Sequence, residues 1–231
     1  MTTSVPFRAF NEDGEIRTYY HGILPHWRQA DCTYFVTYRL ADALPQSVLR
    51  EFHYERDQWL LHRGIDLTRT ETEQVNWKNT IGRLSKVEQR LFERMMAMTL
   101  NRYLDAGYGS CVLRRPQHAS IVAKSLEHFH GERILTGDYV VMPNHVHVLM
   151  RPLAKFKLED VLQSIKSFTA NEINRRIGKQ GRFWMRESYD HIVRDQEQLE
   201  AFQRYIHANP AKANLKPNEY RLQARVYHLE E

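Results

Sequence analysis

Cysteine is scarce: the 231 residues include two, Cys32 and Cys111. They lack the paired spacing of a metal finger and cannot form a disulfide framework, so a reduced setting with ordinary thiols is expected. Long apolar runs are missing too. Mean hydropathy is -0.62, and no stretch approaches the roughly 20 apolar residues of a membrane span. The opening residues, Met1-Thr2-Thr3-Ser4-Val5-Pro6-Phe7, offer neither a basic start nor an apolar segment, so no secretory signal is expected and the location implied is cytoplasmic. Internal repeats and low-complexity tracts are absent. The chain does have 42% hydrophobic and 11% aromatic residues, enough for a packed core.

The net charge of +5 is unevenly placed. Between Arg151 and Arg186 nine basic residues face three acidic ones, Glu159, Asp160 and Glu172. A solvated helix face and a polyanion-binding surface both account for such a run.

Residues 1 to about 30 read as a polar, irregular extension. Thr33 to Leu40 is rich in β-branched and aromatic residues and predicts a first strand. Helical periodicity follows from Gln46 to about His62, from Lys86 to Leu104 and from Pro116 to about His130, whereas 64–83 has no clear pattern. Two strands come next, up to Met142 and onward from His145, with Pro143-Asn144 as the hairpin turn. A helix over about Leu158 to Ile177 is stopped by Gly178 and Gly181. A strand at Tyr189 to Arg194 precedes a helix capped by Asp195 and running to Ala208, before Asn209-Pro210. This order predicts an α+β, ferredoxin-like βαββαβ fold. Its antiparallel sheet would carry helices on one face, with a helical insertion over about 46–131 in the first crossover and a core segment over 132–215, all in one domain spanning 1–231.

The most informative segment is Met142-Pro143-Asn144-His145-Val146-His147-Val148-Leu149-Met150. Side chains alternate along a strand, so His145 and His147 share one face about 7 Å apart, while Val146, Val148 and Met150 face an apolar layer. Two neutral imidazoles on a rigid strand make half of a divalent-metal site. On the last helix, Leu199, Phe202 and Ile206 form an anchoring stripe. Tyr205 and Asn209 lie one turn apart on an adjoining face, about 6 Å along the axis. An asparagine carbonyl suits a hard cation such as Mg²⁺ or Mn²⁺, and a phenol beside it is a candidate nucleophile. Each residue has a plainer reading as well: a polar strand face for the histidines, a core-edge aromatic for Tyr205, and a helix end for Asn209.

The histidine pair after Met-Pro-Asn, followed by Tyr205-Ile206-His207-Ala208-Asn209-Pro210-Ala211-Lys212-Ala213, resembles the single-tyrosine HUH transposases, and among them the REP-associated tyrosine transposases. Leu24-Pro25-His26-Trp27, Thr33 to Leu40 and Phe183 to His191 support the resemblance, which covers nearly the whole chain. It implies a single-strand DNA endonuclease and strand transferase acting on hairpin-forming repeats, monomeric or homodimeric and nucleoid-associated. Tyr205 would be the nucleophile, giving a 5′-phosphotyrosine link. His145, His147 and Asn209 would bind a divalent metal, Mg or Mn. Lys166, Arg175, Arg176, Lys179, Arg182 and Arg186 would then follow the DNA backbone, with Trp184 and Phe183 stacking on unpaired bases. Tyr189 is the rival nucleophile, but it begins a strand and lacks a ligand-type residue on a matching face. Two other readings compete: a hairpin-binding protein of the same fold without chemistry, and a zinc hydrolase, which would want three strong protein ligands.

Overall fold

A computed structural model describes residues 4–20, 25–65, 84–153 and 155–230. The unpatterned stretch over 66–83 and residues 21–24 lie outside them. The described elements are β1 (Ser4–Phe7), β2 (Arg17–Tyr20), β3 (Pro25–Arg28), β4 (Tyr34–Arg39), α1 (Gln46–Leu61), α2 (Lys86–Asp105), α3 (Pro116–His128), β5 (Ile134–Val141), β6 (His145–Pro152), α4 (Leu158–Ile177), β7 (Tyr189–Ile192), α5 (Gln196–Lys212), β8 (Arg221–Gln223) and β9 (Val226–Leu229). Among the described residues no helix is long and apolar enough to cross a membrane.

Strand order in the main sheet is β7-β4-β6-β5-β8, with every neighbouring pair antiparallel. Its first four strands form the ferredoxin-like arrangement the element order predicts, and β8 adds an edge. The expected insertion is present: α1 and α2 stand between β4 and α3. Ser85 caps α2 with a full capping box to Glu88, and Gly178 closes α4 at φ 65°.

Register divides the sheet into two faces. Tyr34, Val36 and Tyr38 pair with Met150, Val148 and Val146, and these side chains join the core under α3 and α4. Phe35, Thr37 and Arg39 pair with Leu149, His147 and His145 on the other face. The crossover helices α3 and α4 thus share one face. The second face is not bare: α5 lies across it, burying Leu199 and Ile206 against Phe35, Val140 and Leu149. Each such aliphatic side chain contributes on the order of 1.5–3 kcal/mol.

Two sequence expectations need correction. Within the extension over 1–30, read as irregular, β2 pairs antiparallel with β3, and Arg28 ties β3 to Asp190 of β7 and to Glu159 of α4. The last helix does not stop at Ala208 but continues through Pro210 to Lys212. Proline lacks an N–H, yet it fits in a closing turn where Ala213 and Leu215 still donate to the carbonyls of Asn209 and Pro210. The segment after α5 also pairs, β8 with β5 and β9 in parallel with β1.

Candidate active site

The site begins at a hairpin turn. Met142 N donates to His145 O, and Asn144 sits buried between them. The Asn144 amide nitrogen donates to the carbonyls of Leu104 and Tyr108, at 3.2 and 3.0 Å. Its Oδ1 therefore faces Nδ1 of His145, at 2.7 Å, and that nitrogen must carry the proton. Nε2 of His145 is left as a bare lone pair. Nδ1 of His147 lies 2.7 Å from the Thr37 hydroxyl. The two Nε2 atoms converge to 3.0 Å in the fully buried space between strand and helix. Burial holds both rings neutral, His145 down to about 3 and His147 well below its ordinary value, with the neighbouring His145 adding to the latter.

Helix α5 brings Tyr205 to this pair. Phe202 stacks on Phe35 with centroids 4.2 Å apart, and Phe35 in turn stacks on His147. One turn on, the Tyr205 hydroxyl is 3.4 Å from Nε2 of His147. A buried carboxylate also secures the helix: Asp138, at a bulge in β5, accepts from His207 at 2.6 Å and from the backbone of Arg225 at 2.9 Å. Burial raises the Tyr205 phenol well above its usual value, and the charge of Asp105 raises it further.

Asn209 is completely buried, and neither atom of its side-chain amide has a hydrogen-bond partner. It faces Asp105 and Tyr205 closely enough to moderate the upward shift that burial gives both groups. Asp105, the last residue of α2, also has an unpartnered buried oxygen, 3.9 Å from Nε2 of His145. Burial pushes its carboxyl up to about 6, against the pull of Lys212 and Asn209. One ligand atom each from Asp105, His145 and His147 fall within 4.8 Å of one another. The convergent imidazole nitrogens, a buried carboxylate oxygen and a buried amide, the last two outside the hydrogen-bond network, fit a divalent cation.

Two residues here escaped the sequence reading. Asp105 is 40 positions from His145, and its one local signal is a carboxylate at a helix C-terminus, where the macrodipole disfavours it. Lys212 stands on the same helical stripe as Tyr205 and Asn209, with Nζ 5.4 Å from the centroid of the Tyr205 ring.

The basic residues are placed less uniformly. Arg175, Arg176, Lys179, Arg182 and Arg186 are exposed, with Arg175 and Arg176 both bonded to Glu172. Lys166 is held in the structure, donating to Arg186 O and the Ser188 hydroxyl, and burial brings it down to about 8. Trp184 and Phe183 do not present stacking faces: both are buried, and the indole N–H of Trp184 donates to Thr169 while its ring meets Tyr38 edge-on. Both rings join the main core, and Trp184 bridges to Leu40 at the end of β4. The segment 183–185 nevertheless follows β4 at the end where Arg39 pairs with His145. Tyr189 lies in β7 opposite Thr37, with Glu93, Asp190 and Arg194 as its charged neighbours.

Residues 116–209 match the family model described as IS200-like transposase, a span from the first residue of α3 to Asn209. No curated protein matches. Among solved structures, that of a REP-associated tyrosine transposase bound to a REP hairpin aligns with a TM-score of 0.40 at 14% identity, over 86% of this chain and 73% of that one.

Proposed function

We propose that this chain, whose residues 116–209 match the IS200-like transposase family model, is a transposase: a metal-dependent single-strand DNA endonuclease and strand transferase acting on hairpin-forming repeats. The observation that carries the reading is the meeting of the Tyr205 hydroxyl with two neutral imidazoles and the unpaired amide of Asn209 on one sheet face. Tyr205 attacks a backbone phosphorus, the bond to the 3′-oxygen breaks, and the chain becomes linked to DNA through a 5′-phosphotyrosine. The phenol loses its proton and the departing 3′-oxygen gains one. Attack by another 3′-hydroxyl reverses the step and conserves the phosphodiester bond.

His145, His147 and Asn209 would hold a divalent cation, Mg or Mn, which supplies positive charge to a phosphoryl oxygen when bound. Asn144 and Thr37 fix the imidazoles so that their Nε2 atoms face the reacting region. Phe35 and Phe202 orient the helix, and Lys212 lends positive charge to the ionising phenol, which burial otherwise keeps protonated. Arg182 and Arg186 would guide the DNA strand past the end of β4 toward His145, with Lys179, Arg175 and Arg176 extending the track and Lys166 bracing it. One chain contains every group named, so a monomer suffices for cleavage.

The test is incubation of the full chain with a single-stranded hairpin oligonucleotide and Mn²⁺, followed by denaturing electrophoresis. A covalent protein–DNA band that vanishes in Tyr205→Phe supports the reading. Hairpin binding with no band under any metal would instead identify a binding protein without chemistry.

A further inference from the structure

The crossover insertion touches the histidine hairpin at several points. The carbonyls of Leu104 and Tyr108, at the end of α2 and just beyond it, hold the Asn144 amide. Leu113 N donates to Pro143 O at 3.1 Å. Between these contacts Asp105 turns a carboxylate toward Nε2 of His145, 3.9 Å away, with one oxygen buried and unbonded. Nothing in helix formation favours this arrangement: the residue sits at the negative end of the helix dipole, and burying a carboxylate oxygen without a hydrogen bond is costly. The groups facing it are His145, Asn209 and Lys212.

We propose that Asp105 is a ligand of the same cation as His145 and His147, so that the inserted helices form part of the metal centre. The proposal rests on the reading that the histidine pair binds a divalent ion. Two imidazoles with a carboxylate and an amide oxygen make a donor set drawn from α2, β6 and α5, three separate elements of one chain. Such a set can bind the ion before any DNA phosphate is present. The carboxylate and amide oxygens add hard donors of the kind that suit Mg²⁺ and Mn²⁺ to the two imidazoles. Once formed, the centre locks the end of the insertion to the hairpin turn and to the helix bearing Tyr205.

The experiment measures Mn²⁺ binding to the full chain without DNA, by calorimetry and by the loss of the free-ion electron paramagnetic signal. Wild type is expected to bind one ion, and Asp105→Asn to bind it more weakly by at least about tenfold. His145→Ala/His147→Ala should not bind. Asp105→Glu, which keeps a carboxylate, should retain more affinity than Asp105→Gln, which has the same size and no charge. That comparison holds even if the asparagine variant folds poorly. Equal Mn²⁺ affinity in wild type, Asp105→Asn and Asp105→Gln would overturn the assignment of Asp105 and leave the histidine pair standing. Failure of the wild type to bind Mn²⁺ would overturn the reading of the pair, and this proposal with it.

Discussion

Asn144 sets the tautomer of His145: its Oδ1 accepts from Nδ1 at 2.7 Å because its nitrogen is committed to Leu104 O and Tyr108 O. A residue of the turn thereby decides which imidazole nitrogen can bind. Asn144→Ala should weaken Mn²⁺ binding by about tenfold. It should also cost about 1–3 kcal/mol of stability, because buried carbonyls lose their donor. Titration calorimetry and urea denaturation measure the two effects. Unchanged metal affinity in a folded variant would remove the tautomer argument.

Lys212 should matter to rate and little to folding. Its side chain is exposed and its ammonium lies 5.4 Å from the Tyr205 ring centroid. Lys212→Ala is expected to slow single-turnover formation of the tyrosyl–DNA adduct by about tenfold or more. The melting free energy should stay within about 0.5 kcal/mol of wild type. A large stability loss, or an unchanged rate, contradicts this role.

Phe202 ties α5, the helix that bears Tyr205, to the sheet through its stack on Phe35. Phe202→Ala should destabilise the protein by about 2–3 kcal/mol, below the range for fully buried rings because this one is part-exposed. Adduct formation should fall while hairpin affinity, measured by fluorescence anisotropy, stays near wild type.

Glu93 gives a pH signature. Burial pushes its carboxyl up to about 7 from an ordinary value of 4.5, with Arg194 pulling the other way. A carboxyl whose folded pKa is raised favours the fold while protonated. That contribution is complete below about pH 4.5 and is lost as pH rises through 7. Glu93→Gln removes the loss. The variant should match wild type near pH 4.5 and exceed it by roughly 2 kcal/mol at pH 8. Chemical denaturation at the two pH values checks the sign, and equal stability at pH 8 would contradict it.

Gly137 is required by close approach. A Cβ there would lie 2.0 Å from the Tyr227 hydroxyl and 3.1 Å from Leu149 O. Gly137→Ala is expected to cost about 1–3 kcal/mol, read as a lower urea midpoint.

Most of the fold was legible because it depends on local period and order. Alternation put His145 and His147 on one face, the Pro143-Asn144 turn made the hairpin, and the stripe of Leu199, Phe202 and Ile206 seated α5. Where the reading failed, the information was not local. β2, β3, β8 and β9 are strands of three or four residues, too short to set a period, and exist through partners far away in sequence. Trp184 sits among basic residues and invites a stacking role, but Thr169 and Tyr38 claim its ring from distant elements. Asp105 was hidden for the same reason. A carboxylate at a helix end becomes notable only when the chain has folded it against His145.

The parallel ribbon of β1 and β9 has a mechanical consequence. Tyr227 in β9 receives the Asp138 backbone N–H, and the Asp138 carboxylate grips His207 two residues beyond Tyr205. A nick or truncation within Val226–Leu229 would therefore slacken the brace behind Tyr205 without touching Tyr205, His145 or His147, and the proposed adduct formation would decay before the sheet itself came apart.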